Sequence, residues 1–366
     1  MERAAGGYRQ VYDWVQGQIA SGALKEGDRM PTEKELAERF GVSRQTIRHA
    51  TGLLVEEKVL TRIQGSGTYI GCIAKPRRTR RSMRIAVIST FYESYIFPPI
   101  LRGIEHTLSA AGYAVQVSFT DNRTERERRI LQQILSGDEV DGLLVEPSQS
   151  ALPNPNLPLY EELSKRHIPI LFFHASYPEL PFPCVRMDDA AMGEQAAKIL
   201  LDNGHKKIGG IFKSDDRQGK LRYQGFLKAM AEAGLPTGGP EIVWIDTQET
   251  KDLAPIGAYV LSRWQNVTGA VCYNDEVAVQ LVDIAERAGI LVPEDLSLVG
   301  MDDANLAGVC RVPLTTLQHP KEVLGEKAAE NLLRMIDNPA FDGNVLFAPK
   351  VVERESVTSP KEDISL

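Results

Sequence analysis

Apolar and polar positions change period twice along the chain. Tyr8, Val11, Tyr12, Val15 and Ile19 recur at helical spacing, which predicts a helix over 7–21 stopped at Gly22. A second helix follows Thr32, which is placed to cap it with Glu35 three residues on. It buries Leu36 and Phe40 and stops at Gly41. Ser43 caps a third helix whose Ile47, Ala50, Thr51 and Leu54 face inward, leaving Arg44, Gln45 and Arg48 on the outer side of its first turns. Beyond Leu60 two short β-prone runs flank Gly65-Ser66-Gly67, a hairpin with a glycine tip. Three helices and a hairpin predict an N-terminal α+β winged helix-turn-helix over 1–71.

From Arg84 the period switches to strands alternating with helices. Strands are expected at 84–90, 114–120, 141–147, 168–173 and 183–189, then in KIGGIFK, EIVWID, GAVCYN and SLVGMD, with amphipathic helices between them. Val-, Ile- and Leu-rich strands separated by helices predict parallel sheets covered on both faces. The 84–366 span is long enough for two such sheets. Between the two patterns, residues 72–83 carry Lys75, Arg77, Arg78, Arg80 and Arg81 without apolar periodicity, a basic linker.

Charge sharpens this division. Residues 1–81 carry a net +6 and the remainder −13, a basic head on an acidic body, which is what a nucleic-acid contact confined to one end would produce. Cys72, Cys184, Cys272 and Cys310 form no close pair, which excludes a zinc cluster and a disulfide framework from the expectations. No apolar run approaches the about 18–20 residues of a membrane span, and MERAAGGYRQV lacks a secretory pattern, so the expected location is the cytoplasm.

Candidate chemistry lies in two places. At the start of the third helix, Arg44 and Arg48 can pair with guanine, Gln45 with adenine, and Ser43 and Thr46 with phosphate. Glu33 can accept from a cytosine amine or orient a neighbouring arginine. Gln64 and Gly67 sit at the hairpin tip, placed for a groove. In the body, polar and aromatic residues collect at strand ends: Tyr92 and Phe97, Glu146, His174, Asp188, Lys213, then Arg222, Asn274 and Asp302. Ligands bind at strand ends in open α/β sheets, and carboxylates with an Asn, an Arg and aromatic faces suit a small polyhydroxylated ligand. Asp189, Asp275 and Asp303 directly precede helices, where capping is the expected task. A sugar-processing enzyme is the alternative of another class, with Glu146 and either Asp188 or Asp302 as an acid/base pair. No phosphate loop, nucleophile elbow or metal motif accompanies it.

Two resemblances extend this reading. Gly27-Asp28-Arg29-Met30-Pro31-Thr32-Glu33, Gly41-Val42-Ser43-Arg44-x-Thr46-x-Arg48 and Gly65-x-Gly67-Thr68-Tyr69 resemble the GntR-type winged helix, which implies DNA contacts by Glu33, Arg44, Gln45, Thr46, Arg48 and Gln64. Asp141-Gly142-Leu143-Leu144-Val145-Glu146-Pro147, Arg222-x-x-Gly225-Phe226, Cys272-Tyr273-Asn274-Asp275 and 293–303 resemble the LacI/GalR-type effector domain, a two-lobed periplasmic-binding-protein-like fold. That resemblance implies sugar contacts at Arg222, Asn274 and Asp302. That family's own N-terminal reader and hinge helix are absent from this sequence. A GntR-type head on a LacI-type body, with Tyr95-Ile96-Phe97-Pro98, Val145-Glu146-Pro147-Ser148 and Gly210-Ile211-Phe212-Lys213, resembles the arabinose-responsive repressors of Gram-positive bacteria. His174 stands where that family leads one to expect Asn. The resemblance implies a homodimer on double-stranded operator DNA, released by L-arabinose or a related sugar, with no cofactor, metal or membrane.

Overall fold

A computed structural model describes residues 2–20, 23–25, 27–57, 59–63, 67–71, 81–93, 96–137, 139–236, 239 and 241–361. The chain divides into two compact units, Met1–Arg80 and Arg81–Leu366.

The first unit is built on helices α1 (Glu2–Ala20), α2 (Glu33–Phe40) and α3 (Arg44–Glu56), followed by antiparallel strands β1 (Leu60–Ile63) and β2 (Gly67–Ile70). Helix α1 starts at Glu2, earlier than its apolar period. The expected capping box is present: Glu35 N donates to Thr32 Oγ1 (3.3 Å) and Thr32 N to Glu35 Oε2 (2.7 Å). Gly41 ends α2 at φ 61°, a left-handed position that suits glycine. Val11, Val15, Leu36, Ile47, Leu54 and Ile70 share one core. The residues before α2 add to the hairpin, with Met30 N donating to Thr68 O and Ile70 N to Asp28 O. The hairpin pattern alone did not indicate this third strand-like segment.

The second unit opens with β3 (Arg84–Ser89), α4 (Phe97–Ala110), β4 (Ala114–Phe119), α5 (Thr124–Ser136), β5 (Gly142–Val145), α6 (Leu157–Lys165), β6 (Ile170–Phe173) and β7 (Cys184–Met187). It continues through α7 (Asp189–Asp202), β8 (Ile208–Lys213), α8 (Arg217–Glu232), β9 (Ile242–Ile245), α9 (Thr247–Lys251), α10 (Ala254–Arg263), β10 (Gly269–Cys272), α11 (Asp275–Arg287) and β11 (Ser297–Val299). It closes with α12 (Asn305–Val309), β12 (Thr316–Leu317), α13 (Lys321–Asp337), β13 (Val345–Phe347) and β14 (Val351–Val352). One all-parallel sheet has the order β13-β7-β6-β5-β3-β4 and the other β11-β10-β8-β9, giving two lobes. The chain passes between them after β7, after β12 and after β13. Arg81, Ser82 and Met83 are already tied to this unit: Arg81 bonds Asp337, and the amides of Ser82 and Met83 donate to Asp141 at 2.9 Å. The preceding part of the expected linker, 72–80, lies outside the described residues.

Each lobe carries a helix pair packed backbone to backbone. A Cβ on Gly193 of α7 would collide with the carbonyl of Arg222 on α8, and one on Gly103 of α4 with that of Glu322 on α13. The first of these contacts seats Arg222 against α7.

Candidate functional site

On the first unit, Ser43 caps α3, its Oγ accepting from Thr46 N at 3.1 Å and meeting Thr46 Oγ1 at 2.9 Å. Arg44, Gln45 and Arg48 are exposed on the same end of α3. Glu33 lies beside them. Arg48 Nη2 is 3.0 Å from Glu33 Oε2, and Arg62 Nη2 is 3.5 Å from Glu33 Oε1 and 3.2 Å from Thr51 Oγ1. The Arg48 hydrogen bond, with the charges of Arg62 and Arg44, holds the Glu33 carboxyl below its ordinary range. The carboxylate is therefore positioned to orient arginine side chains, one of the two roles open to it in the sequence. Arg62 escaped sequence reasoning; its signal was a lone cation in the first hairpin strand. Gly67 begins β2 at φ 132°, with Arg29 Nε 3.0 Å from where a Cβ would stand. Gln64 lies outside the described residues.

In the second unit the lobes enclose a cavity of about 530 Å³, within the ~300–1,000 Å³ usual for small-molecule sites. The first lobe contributes Tyr92, Phe97, Glu146 and His174 and the second Lys213, Arg222, Asn274 and Asp302, so eight of the nine expected residues meet in one space. Asp188 does not line it. Its carboxylate caps α7 by accepting from Ala191 N at 3.0 Å, so Glu146 and Asp188 are not brought together as an acid/base pair. The capping expectation shifts accordingly by one residue: Asp188 and Asn274 cap α7 and α11, whereas Asp189 and Asp275 turn inward.

Arg222 is the electrostatic centre. Its Nε is 3.0 Å from Asp189 Oδ1, its Nη2 is 3.0 Å from Asp302 Oδ1, and its Nη1 donates to Tyr273 O at 2.5 Å. Burial opposes its charge, but Asp302 and Asp189 outweigh that and raise its pKa well above the ordinary value. Lys213 Nζ lies 3.1 Å from Asp216 Oδ2 and 3.5 Å from Asp215 Oδ1. Glu146 Oε2 accepts from Ser89 Oγ, Thr90 N and Thr90 Oγ1, while its Oε1 lies 2.9 Å from His174 Nδ1. Burial works against a charged His174, yet Glu146, Asp189 and Asp302 lift its pKa above the usual value. His174 (φ 68°) and Asp302 (φ 101°) on the cavity wall, and Asp303 (φ 47°) beside it, adopt left-handed backbone.

The lobes also meet directly at the cleft's lip. Asn122 Nδ2 donates to Thr247 Oγ1 (2.7 Å), Arg217 N to Ser150 Oγ (2.9 Å) and Lys220 Nζ to Ala151 O (2.9 Å). These are contacts of a closed cleft. Asn122, Gln218 and Glu276 line the cavity without having been singled out, because each is a loop or first-turn polar residue of a kind that usually faces water. Among the described residues no group of three His, Cys, Asp or Glu could hold a metal ion, and no helix is long and apolar enough to cross a membrane.

A helix-turn-helix head with exposed arginines at the start of α3, in one chain with a two-lobed domain built around a cavity, defines a ligand-responsive transcription regulator. Residues 7–70 match the model of bacterial regulatory proteins of the gntR family, and 190–357 that of a periplasmic binding protein-like domain. The chain is 37% identical over 354 residues to the arabinose metabolism transcriptional repressor of Geobacillus stearothermophilus, covering 95% of this chain and 97% of the relative. Identity to the protein of the same name from Halalkalibacterium halodurans is also 37%, over 369 residues, covering 97% and 98%. The chain belongs to the family of these repressors and is a regulator, not an enzyme. Among solved structures, the transcription regulator CcpA of Lactococcus lactis shares the fold with a TM-score of 0.67, 23% identity and coverage of 76% of this chain and all of that one. A LacI family regulator from Enterococcus faecium with bound ribose does so with a TM-score of 0.65, 24% identity and coverage of 76% and 100%.

Proposed function

We propose that this repressor acts in the cytoplasm on genes of L-arabinose use, and that L-arabinose in the interlobe cavity releases it from double-stranded operator DNA. The observation that carries the reading is the cavity itself: buried carboxylates, a lysine, an arginine and an asparagine converge from both lobes beside the aromatic ring of Phe97. Its wall holds six carboxyl groups (Glu93, Asp121, Glu146, Asp216, Glu276, Asp302) against Lys213, Arg222 and Lys251. That balance favours a neutral polyol over a phosphorylated or acidic sugar. The names of the two relatives, both arabinose metabolism repressors, favour L-arabinose among neutral sugars.

In this reading a homodimer places one α3 per half-site, with Arg44, Gln45 and Arg48 reading bases, Ser43 and Thr46 holding phosphate, and Gln64 and Gly67 reaching a groove. The sugar favours the closed cleft and shifts the dimer to a state that no longer spans both half-sites. A coupling of about 1–3 kcal/mol per site is typical of such regulation. Mobility-shift titrations at one salt concentration, with and without L-arabinose, test it. Weaker operator binding in sugar is expected, and identical operator affinity rejects the reading. A calorimetric panel with D-xylose, D-ribose and D-galactose identifies the effector if another sugar is the one that binds.

A further inference from the structure

Buried polar atoms that lack a protein partner gather at one end of the cavity. Among the described residues, His174 Nε2, Gln218 Oε1 and both ring nitrogens of His319 find no hydrogen-bond partner, and the His174 and His319 rings meet edge-on at 5.2 Å. Of these residues, His174 and Gln218 line the cavity. Their relative exposures are 5% each, so bulk water does not satisfy them. Buried polar groups are hydrogen-bonded as a rule, which makes this pair a place where a ligand's polar atoms belong.

The donor and acceptor pattern follows from Glu146. Its Oε2 takes one amide N–H and two hydroxyls, as a carboxylate does, and its Oε1 faces His174 Nδ1. Nδ1 therefore carries a proton in either charge state of the ring. Nε2 is then an acceptor on the neutral ring and a donor on the charged one. Gln218 Nε2 lies 3.2 Å from the same Nδ1; a protonated Nδ1 cannot accept from it, so the amide is assigned with its oxygen toward Nδ1 and its NH2 toward the cavity. A hydroxyl, which both donates and accepts, matches Nε2 and the amide whichever form they take.

The two residues come from different lobes: His174 follows β6 of the first, and Gln218 stands in the first turn of α8 of the second, just past its cap Asp216. They face one ligand only when the cleft is shut. We infer that Gln218 is a specificity-determining residue of the effector cavity, reading with His174 a ring hydroxyl of the sugar and making that hydroxyl a bridge that holds the lobes closed. The inference rests on the reading of the cavity as a neutral-sugar site. A sugar without that hydroxyl leaves both groups dry, the situation in which sites built around a hydroxyl discriminate most strongly.

Calorimetry on the full chain tests this with L-arabinose and the four derivatives of its pyranose form that each lack one hydroxyl. For the wild type, one derivative is expected to bind far more weakly than L-arabinose. Gln218→Met keeps the side-chain length and removes the polar ends. It is expected to lose at least tenfold in L-arabinose affinity but to bind that one derivative as the wild type does. Equal L-arabinose affinity in Q218M and wild type, or the same loss for all five sugars, would overturn the inference and leave the sugar reading standing. The wild-type series decides even if Q218M fails to fold, since four derivatives binding like L-arabinose would also overturn it. No binding of L-arabinose, D-xylose, D-ribose or D-galactose to the wild type would remove the sugar reading, and this inference with it.

Discussion

Arg222 Nη2 and Asp302 Oδ1 stand 3.0 Å apart with the two residues 1% and 2% exposed, one on a helix and the other in the turn after a strand. Asp189 takes the guanidinium from the other side. A single cation shared by two buried carboxylates is costly to interrupt, because removing it leaves two charges facing each other in a medium that solvates neither.

Arg222→Ala is therefore expected to cost about 3–5 kcal/mol of stability, the range for breaking a buried pair by deleting one partner. Urea denaturation of the variant would show the loss as a lower midpoint. Arg222→Lys keeps the charge but cannot reach Asp189, Asp302 and Tyr273 O together, so it should fall between the two. An unchanged midpoint in Arg222→Ala would mean that the pair carries no weight in folding.

Glu127 supports the loop that brings Ser150 and Ala151 to the lip. Fully buried, it accepts from Tyr160 OH (2.9 Å), Tyr177 OH (2.7 Å), Asn154 Nδ2 (2.8 Å), Asn156 Nδ2 (2.8 Å) and Ser148 N (3.3 Å). Five donors and, among the described residues, no cation hold it. Replacing it with Gln turns one acceptor end into a donor facing donors, at a cost of about 1–3 kcal/mol for the unsatisfied groups. Limited proteolysis should then cut within 147–156 faster than in the wild type. Equal cleavage rates would show that the loop is held by something else.

The period of apolar residues was enough to lay out three helices, a hairpin and two parallel sheets, because burial imposes it on every element that faces a core. It carried less information about single polar residues. Asp188 and Asp189 are adjacent and chemically identical, and only the phase of α7 makes one a cap and the other a partner of Arg222. Gln218 looked like any polar residue in a first helical turn; its burial depends on the opposite lobe, which no local pattern encodes. Arg62 joins Glu33 only through the hairpin's fold back over α3.

That convergence on Glu33 gives a prediction for DNA binding. Arg44→Ala should remove a base contact, at a cost of about 1–3 kcal/mol of discrimination against the wrong base. Glu33→Ala should instead free Arg48 and Arg62 from their shared acceptor and blur specificity while keeping nonspecific affinity. Competition mobility shifts with operator and scrambled duplex separate the two effects. If Glu33→Ala leaves the ratio of operator to scrambled binding untouched, the carboxylate does not orient the arginines that read bases.

Glu276 sets a pH dependence within the cavity. Burial first, and then the nearby charge of Asp302, push its carboxyl up to about 7, while Asn274, Lys213 and Lys251 pull it down. A carboxyl whose folded pKa exceeds its unfolded value binds its proton more tightly in the folded chain, so it favours folding at low pH. As pH rises from about 4.5 to about 7 the unfolded chain ionises first, and this group's contribution turns against the fold; above about 7 it changes no further. Glu276→Gln removes the titration and keeps the shape. Without sugar, the variant's melting temperature relative to wild type should climb between pH 5 and pH 7 and level off by pH 8. A difference that stays flat across that range would mean that Glu276 titrates in the folded protein as it does in the unfolded chain.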